Sequence, residues 1–321
     1  MSIAILEGIW SKFLRSPRSV AVLGVSFSGG QPKGGVDEGP IRMIQHGILD
    51  QLREMDWQVE HDGRLDHYKE LEPAEDPDIG ILKHPRYVGA VSKAVSEAVE
   101  SHARQGQLVL TLGGDHSIGL GTVSGSTAVY GEDTCLIWVD AHADINTPET
   151  TDSGNLHGCP VSWLIGIAGK VEGFEWVQPR LKPSNLVYIG LRDVDVGEKR
   201  ILREHGIKAF SMFDVDKYGI GKVVEMALDH VNPDRTKPIH LSFDVDALDP
   251  SVAPATGTPV RGGLTFREGH YICEAIAETN CLVALDVVEV NPLLGADEAS
   301  WQQTVKVGCS LVRSSLGETL L

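Results

Sequence analysis

Short runs of apolar residues recur along the chain, and each run ends at a polar or glycine-rich segment. Most are rich in Val, Ile and Leu and show little alternation of apolar and polar positions. This pattern is typical of strands buried on both faces of a parallel sheet. The runs are Val20–Val25, Leu108–Leu112, Cys135–Val139, Leu186–Ile189, Ile239–Phe243 and Leu282–Val288.

Helical patterns lie between these runs. From Val88 to Val99 the apolar positions follow helical spacing and build one buried face, and Gly106 follows as a stop. Thr265 and Glu268 form a T-x-x-E capping box before another such pattern. Alternating strands and helices predict an α/β fold, a three-layer α/β/α sandwich with a mostly parallel central sheet. Because the chain shows no linker, repeat or low-complexity segment, we expect residues 1–321 to form a single domain.

Composition narrows the classes of partner. The formal net charge of -17 disfavours nucleic acid and anionic membranes, and it is compatible with a cationic small substrate, although solubility alone would explain it. The five cysteines form no C-x-x-C motif, which favours a reducing compartment. The chain contains no run of about 18 apolar residues, so we expect no membrane span. We expect a cytoplasmic protein, with a mitochondrial location as the alternative because Lys12, Arg15 and Arg18 lie near the start.

Three polar clusters directly follow three of the apolar runs. They are Gly113–Ser117, Asp140–Asp144 and Asp244–Asp249. In open α/β sheets, ligands bind beyond the carboxyl ends of the strands, so all three clusters should meet at that edge.

The spacing within the clusters favours metal binding. In an extended backbone, alternate residues point to one side, so Asp140, His142 and Asp144 share a direction, as do Asp244 and Asp246. With His116 they supply four carboxylates and two imidazoles, which balance two divalent ions and favour Mn²⁺ over structural Zn²⁺. Each cluster alone could be a turn or a helix cap. Three at three strand ends are better explained as one metal site.

The same segments resemble the ureohydrolases and, within them, the arginases. The motifs are Gly-Gly-Asp-His-Ser at 113–117, Asp-Ala-His-Ala-Asp at 140–144, Asn-Thr-Pro at 146–148, Ser-Gly-Asn-Leu-His-Gly at 153–158, Gly-Leu-Arg-Asp-Val-Asp at 190–195, Ser-Phe-Asp-Val-Asp-Ala-Leu-Asp-Pro at 242–250, Ala-Thr-Gly-Thr-Pro at 255–259 and Glu-Val-Asn-Pro at 289–292. The resemblance covers most of the chain. It also includes Gly-Gly-Gln-Pro-Lys-Gly-Gly-Val at 29–36.

The resemblance implies two Mn²⁺ ions per subunit and hydrolysis of L-arginine to L-ornithine and urea by water activated between the ions. One ion would be held by His116, Asp140, Asp144 and Asp244, and the other by Asp140, His142, Asp244 and Asp246. The resemblance also implies a homo-oligomer, a trimer or a hexamer.

Catalytic and substrate-binding roles follow from the same resemblance. Asp144 would stabilise the intermediate and help to move its proton, His157 would protonate the leaving amine, and Glu289 would orient the guanidinium group. Thr258 would line the guanidinium pocket. The residues expected at the amino-acid end of the substrate are Asn146, Thr151, Ser153, Asn155, Asp193 and Asp195, with Glu198 in support.

Some features leave alternatives open. Asp195 and Glu198 also fit a D-x-x-E helix cap. Cys159 stands where many arginases have Gln and is expected to alter the pocket rim or to be sensitive to oxidation, and Asp152 adds a charge to the loop that would bind the carboxylate. The alternative functions are a ureohydrolase acting on agmatine or another guanidino compound, a deacetylase with one Zn²⁺, and a non-catalytic amino-acid sensor.

Overall fold

Among the residues that the structure describes, eight parallel strands form one sheet at the centre of the fold. The computed structural model describes residues 11–65 and 67–319. The strands are β1 (Ser19–Val25), β2 (Gln58–Glu60), β3 (Leu108–Gly113), β4 (Cys135–Val139), β5 (Leu186–Leu191), β6 (Lys208–Ser211), β7 (Ile239–Asp244) and β8 (Leu282–Val288). Their order across the sheet is β2-β1-β3-β8-β7-β4-β5-β6.

Helices cover both faces of this sheet. Successive strand residues point to opposite faces. Ile137 therefore packs in one buried cluster with the helices Phe266–Glu278 and Glu298–Ser315, and Trp138 packs in the other with the helices Pro85–Arg104 and Gly119–Tyr130. The predicted three-layer α/β/α sandwich is confirmed. The helices are α1 (Gly39–Gln45), α2 (Ile48–Glu54), α3 (Pro85–Arg104), α4 (Gly119–Tyr130), α5 (Pro160–Leu164), α6 (Val196–Glu204), α7 (Met212–Tyr218), α8 (Ile220–Val231), α9 (Phe266–Glu278) and α10 (Glu298–Ser315).

All six predicted apolar runs are strands, whereas β2 and β6 were not predicted. These two lie at the edges of the sheet and pair on one side only. Strand β2 has three residues and keeps its first and last side chains exposed. An edge strand needs no continuous apolar run, because one of its sides faces solvent.

Both predicted helix signals are confirmed. Helix α3 extends the Val88–Val99 pattern in both directions, and Gly106 after it has a positive φ of 82°. At α9 the Thr265 hydroxyl accepts from the Glu268 N–H, and the Glu268 carboxylate accepts from the Thr265 N–H at 2.8 Å. In the part of the chain described here, we find no helix with the length and apolar character needed to cross a bilayer.

The strand order brings the polar clusters together. Strands β3, β8, β7 and β4 are consecutive neighbours in the middle of the sheet. Since all of them run in one direction, the segments that follow them leave the same edge. The fold therefore gathers at one place residues separated by more than a hundred positions in the sequence.

Candidate metal centre

Tight turns after the central strands aim the polar side chains. After β3, Asp115 caps a short 3₁₀ turn by accepting from the Ser117 N–H, and His116 is the first residue of that turn. After β7, the Asp244 carboxylate accepts from the Asp246 N–H at 2.7 Å, which bends the chain so that both carboxylates stay inside. The local sequence thus supplies its own turn-forming acceptors.

Two groups of ligand atoms meet at this edge. The Nδ1 atom of His116 lies 3.1 Å from Asp140, 3.2 Å from Asp144 and 3.2 Å from Asp244. The Nδ1 atom of His142 lies 3.3 Å from Asp140 and 3.2 Å from Asp246.

Asp140 belongs to both groups. Its Oδ2 atom faces His116 and its Oδ1 atom faces His142. The six predicted metal ligands therefore form two adjoining sets that share one carboxylate.

The cluster concentrates negative charge away from water. Burial raises the pKa of Asp144 to about 6, and the charge of Asp140 adds to this effect. Burial and the neighbouring carboxylates raise the pKa of Asp244 and of Asp246 as well. Burial alone would also raise the pKa of Asp140, but hydrogen bonds from His116 and His142 outweigh it and hold that pKa below its usual range. The site as a whole favours any added positive charge.

This donor set fits divalent cations. Within each of the groups His116–Asp140–Asp244 and Asp140–His142–Asp246, one ligand atom per residue lies within 4.8 Å of the others. The donors are carboxylate oxygens and imidazole nitrogens, which suit harder ions than a thiolate site would. Asp144 has a positive φ of 50°, a conformation that costs energy for a non-glycine residue and that is common at functional sites.

Neighbouring residues orient the ligands. Trp138 stacks on the His116 ring with centroids 3.9 Å apart, and its indole N–H donates to Asp140 Oδ2 at 3.0 Å. The Ser242 hydroxyl lies 2.9 Å from the other ring nitrogen of His116. Sequence reasoning missed both roles because Trp138 and Ser242 belong to apolar runs, where side chains are interpreted as core. A polar or aromatic residue two positions before a predicted ligand was the available signal.

A cavity of about 140 Å³ opens beside the ligands. It is lined by most of the predicted site residues, namely His142, Asp144, Asn146, Thr151, Ser153, Asn155, His157, Asp193, Asp195, Asp244, Asp246 and Thr258, together with Gly158 and Glu198. The predicted residues His116, Asp140 and Glu289 lie behind this lining and are buried. The structure thus brings every predicted site residue to the cavity or directly against it.

The loop after β4 is tied to the loop after β5. Asn146 donates from its amide nitrogen to Asp195 at 2.9 Å and accepts from the Thr150 hydroxyl at 2.9 Å. The Thr151 hydroxyl accepts from the Gly154 N–H, and Gly154 has a positive φ of 75° that closes the loop. These contacts hold polar groups from two segments on one wall of the cavity.

The helix-cap interpretation of Asp195 and Glu198 is confirmed. The pair forms a capping box at the start of α6, in which Glu198 accepts from the Asp195 N–H at 3.0 Å. Glu198 also accepts from the Ile145 N–H at 3.2 Å and lines the cavity. Burial raises its pKa to about 8. Glu198 therefore connects the loop after β4 to the loop after β5.

His157 lines the cavity, and Glu289 lies directly behind it. Glu289 accepts from the His116 N–H at 2.9 Å and lies 3.4 Å from Nδ1 of His157. Burial lowers the pKa of His157, but the hydrogen bond to Glu289 outweighs it, and the resulting pKa is about 9. The Thr258 hydroxyl donates to Asp246 Oδ2 at 2.7 Å, so the 255–259 segment is fixed to the ligand cluster.

Two features expected to affect the pocket lie elsewhere. Cys159 is fully buried, so it does not form the pocket rim, and burial raises the pKa of its thiol and disfavours the reactive thiolate. Asp152 is exposed and is not among the described residues that line the cavity. All five cysteines are buried and free.

Comparisons with known proteins agree with this geometry. The family model described as "Arginase family" matches residues 18–317. An arginase of Glaciozyma antarctica is 63% identical over 97% of this chain and 91% of the relative. An arginase of Neurospora crassa is 58% identical over 98% of this chain and 90% of the relative. The solved arginase of Bacillus caldovelox has a TM-score of 0.85 at 36% identity and covers 94% of this chain and 99% of that structure.

Proposed function

The chain belongs to the arginase family, and from this membership we propose that it hydrolyses L-arginine to L-ornithine and urea. The observation that carries the proposal is the pair of ligand groups joined by Asp140 at the edge of an acidic cavity. An acidic cavity attracts a cationic guanidinium group, and the loops that follow β4 and β5 offer donors and acceptors for an amino acid.

We propose that two Mn²⁺ ions occupy the ligand groups. One would be held by His116, Asp140, Asp144 and Asp244, and the other by Asp140, His142, Asp244 and Asp246. When bound, the ions would supply acidified water as the nucleophile near neutral pH. The remaining chemistry falls to side chains that bind, orient and transfer protons.

Glu289 is suited to orient the guanidinium group. One carboxylate oxygen contacts His116 and His157. The other, Oε2, lies 3.4 Å from the point where a side-chain carbon on Gly257 would sit. Because residue 257 is glycine, this space stays open for a ligand. A carboxylate oxygen facing a planar guanidinium group forms strong, charge-assisted hydrogen bonds.

His157 is suited to donate a proton to the leaving amine. In the ion-free protein the contact with Glu289 raises its pKa to about 9, which favours a proton on this ring and supports its role as an acid. Asp144 also lines the cavity and would accept a hydrogen bond from the reacting nitrogen as charge develops. The shared position of both residues on the cavity wall supports these roles.

The loops that follow β4 and β5 are suited to bind the amino-acid end of arginine. Asn146, Thr151, Ser153 and Asn155 carry donors for the carboxylate. The α-amino group would meet a negative segment, residues 193–195, which contributes two aspartates to the cavity. Agmatine lacks the carboxylate and would leave the polar groups of the 146–155 loop without a partner, which disfavours it.

The test is the release of ornithine and urea from L-arginine by the ion-free protein during a Mn²⁺ titration, with agmatine in parallel. We expect urea release to rise to a plateau at two ions per chain and agmatine turnover to be much lower. A folded, metal-loaded protein that releases no urea would overturn the proposal. A plateau at one ion per chain would overturn the two-ion centre alone.

We also propose that the protein assembles as a homo-oligomer, a trimer or a hexamer. Light scattering coupled to gel filtration measures the mass directly, and a monomer at micromolar concentration would contradict the proposal.

A further inference from the structure

A buried polar cluster lies inside the sheet, behind the metal centre and outside the cavity. It consists of Asp286 on β8, His240 and Ser242 on β7, and Thr122 and Ser126 on α4. Each of these five residues is at most 1% exposed. Burying a carboxylate and an imidazole among apolar side chains costs free energy unless their polar atoms are partnered. None of the roles described above uses Asp286 or His240.

One oxygen of Asp286 organises the cluster. Its Oδ2 atom accepts from the Thr122 hydroxyl at 2.6 Å and the Ser242 hydroxyl at 3.1 Å. It also lies 2.8 Å from Nε2 of His240, whose Nδ1 faces the Ser126 hydroxyl at 2.8 Å. Three groups thus point at a single oxygen. The three contacts give this oxygen the role of an acceptor.

This acceptor determines the direction of the Ser242 hydroxyl. A serine hydroxyl has one hydrogen, and Ser242 gives it to Asp286. At the contact between Ser242 and Nε2 of His116, 2.9 Å long, the imidazole must therefore be the donor. With the proton on Nε2, the lone pair of His116 is on Nδ1, the atom that faces Asp140, Asp144 and Asp244.

If Asp286 did not accept from Ser242, the hydrogen bond between Ser242 and His116 would be able to run in the opposite direction. The Ser242 hydroxyl could then rotate and donate to Nε2 of His116. That would place the proton of a neutral imidazole on Nδ1, where it would block a cation. The tautomer of a ligand histidine is set by the partner of its other nitrogen, and such partners change metal affinity by about 10- to 100-fold.

We propose that Asp286 is a positioning residue for the metal centre, which acts through Ser242 to keep the Nδ1 lone pair of His116 directed at the cation. His240 holds the Asp286 carboxylate in place from the side away from the cavity. The inference rests on the proposed metal-dependent function, and it assigns a part of that function to a carboxylate that contacts neither cation nor substrate.

The test compares Mn²⁺ binding by ion-free proteins, with free Mn²⁺ followed by electron paramagnetic resonance. In Asp286→Asn the amide oxygen can replace Oδ2, while the amide nitrogen takes the place of Oδ1, which has no partner among the described residues. We expect this variant to bind within about threefold of the wild type. Asp286→Leu removes the acceptor, and we expect one site to weaken by about 10- to 100-fold.

Two controls separate positioning from general damage to the core. Thr122→Val removes another donor to the same oxygen but has no link to His116, so Mn²⁺ affinity should stay within about threefold. In a Ser242→Ala background the link is already lost, so Asp286→Leu should add no further loss of affinity. If Asp286→Leu acted only by disturbing the core, its loss of Mn²⁺ affinity would add in full to that of Ser242→Ala. This result would overturn the inference. Equal Mn²⁺ binding by Asp286→Leu and the wild type would overturn it as well.

A measurement on the wild type covers the case in which Asp286→Leu does not fold. In ¹⁵N-histidine-labelled protein loaded with ¹¹³Cd²⁺, His116 should show coupling of Nδ1 to cadmium and a proton on Nε2. An unprotonated Nε2 would overturn the inference and leave the proposed function intact. A wild-type protein that binds no divalent ion would overturn the proposed function itself.

Discussion

Asn146 offers a sharp test of how the cavity recognises an amino acid. Its amide nitrogen donates to Asp195 at 2.9 Å, and its amide oxygen accepts from Thr150 at 2.9 Å. The second amide hydrogen is free to donate to a substrate carboxylate. Asn146→Asp keeps the shape of the side chain but replaces the donor with a negative oxygen that faces both Asp195 and the substrate.

The structure gives the size of the effect. Two unit charges held 2.9 Å apart at an effective dielectric constant of about 20 repel by about 6 kcal/mol. This exceeds the roughly 1.5–3 kcal/mol of a hydrogen bond to a charged group, so the new carboxylate would turn away from Asp195. The substrate carboxylate then loses one charge-assisted hydrogen bond. The same 1.5–3 kcal/mol corresponds to a loss of about 10- to 150-fold in kcat/KM for L-arginine.

The assay measures urea release from L-arginine and, separately, the inhibition constant of agmatine as a competing ligand. We expect the loss in kcat/KM for arginine with little change for agmatine, which has no carboxylate to recognise. Asp152→Asn is the matched control, because it changes the charge of the same loop by one unit at an exposed position and should leave both constants unchanged. Equal losses for arginine and agmatine would refute the assigned role of Asn146.

Four further outcomes follow from particular contacts. Chelation of divalent ions should abolish urea release and lower the melting temperature, and Mn²⁺ should restore both. At a free Mn²⁺ concentration of a hundred times its Kd, the free energy of unfolding should rise by about 3 kcal/mol. The pKa of His157, raised from 6.5 to about 9 despite burial, adds stability that is complete below pH 6.5 and is lost as the pH rises through 9. Glu289→Gln should remove most of this pH dependence in urea unfolding of the ion-free protein. Gly154→Ala would place a carbon 1.9 Å from the Ile81 carbonyl oxygen at a φ of +75°, so the loop must shift and the KM for arginine should rise in steady-state assays. Thr265→Ala should cost about 1 kcal/mol in chemical unfolding and leave turnover unchanged, because it removes a helix cap that belongs neither to the cavity lining nor to the ligand groups.

The positions of the ligand residues could be predicted because they follow buried strands. A run such as Cys135–Val139 predicts a central strand, and the acidic residues directly after it must leave the carboxyl edge of the sheet. Strand order was not needed for this step, since parallel strands share one edge. The edge strand β2, with three residues and exposed side chains at both ends, carries no such signal and was missed.

Contacts between distant segments could not be predicted in the same way. The hydrogen bond between Asn146 and Asp195 spans 49 residues and depends on β4 and β5 being neighbours. Residues within strands, such as Trp138 and Asp286, were assigned to the core because burial alone does not reveal a hydrogen-bonding role. Their links to His116 become visible only when distances to His116 and its neighbours are known.

Charge balance in the cluster favours two ions over one. The six ligands carry four carboxylates, which equal the charge of two divalent cations when both imidazoles are neutral. A single divalent ion would leave two negative charges uncompensated among side chains of which only His142 is more than 8% exposed. In the ion-free protein the imidazoles take over part of this compensation: burial lowers the pKa of His116, but its three carboxylate partners raise it well above the ordinary value. The same side chain would therefore hold a proton in the ion-free protein and a cation in the proposed metal-loaded state, so the buried charge of Asp140 and Asp244 would be compensated in both.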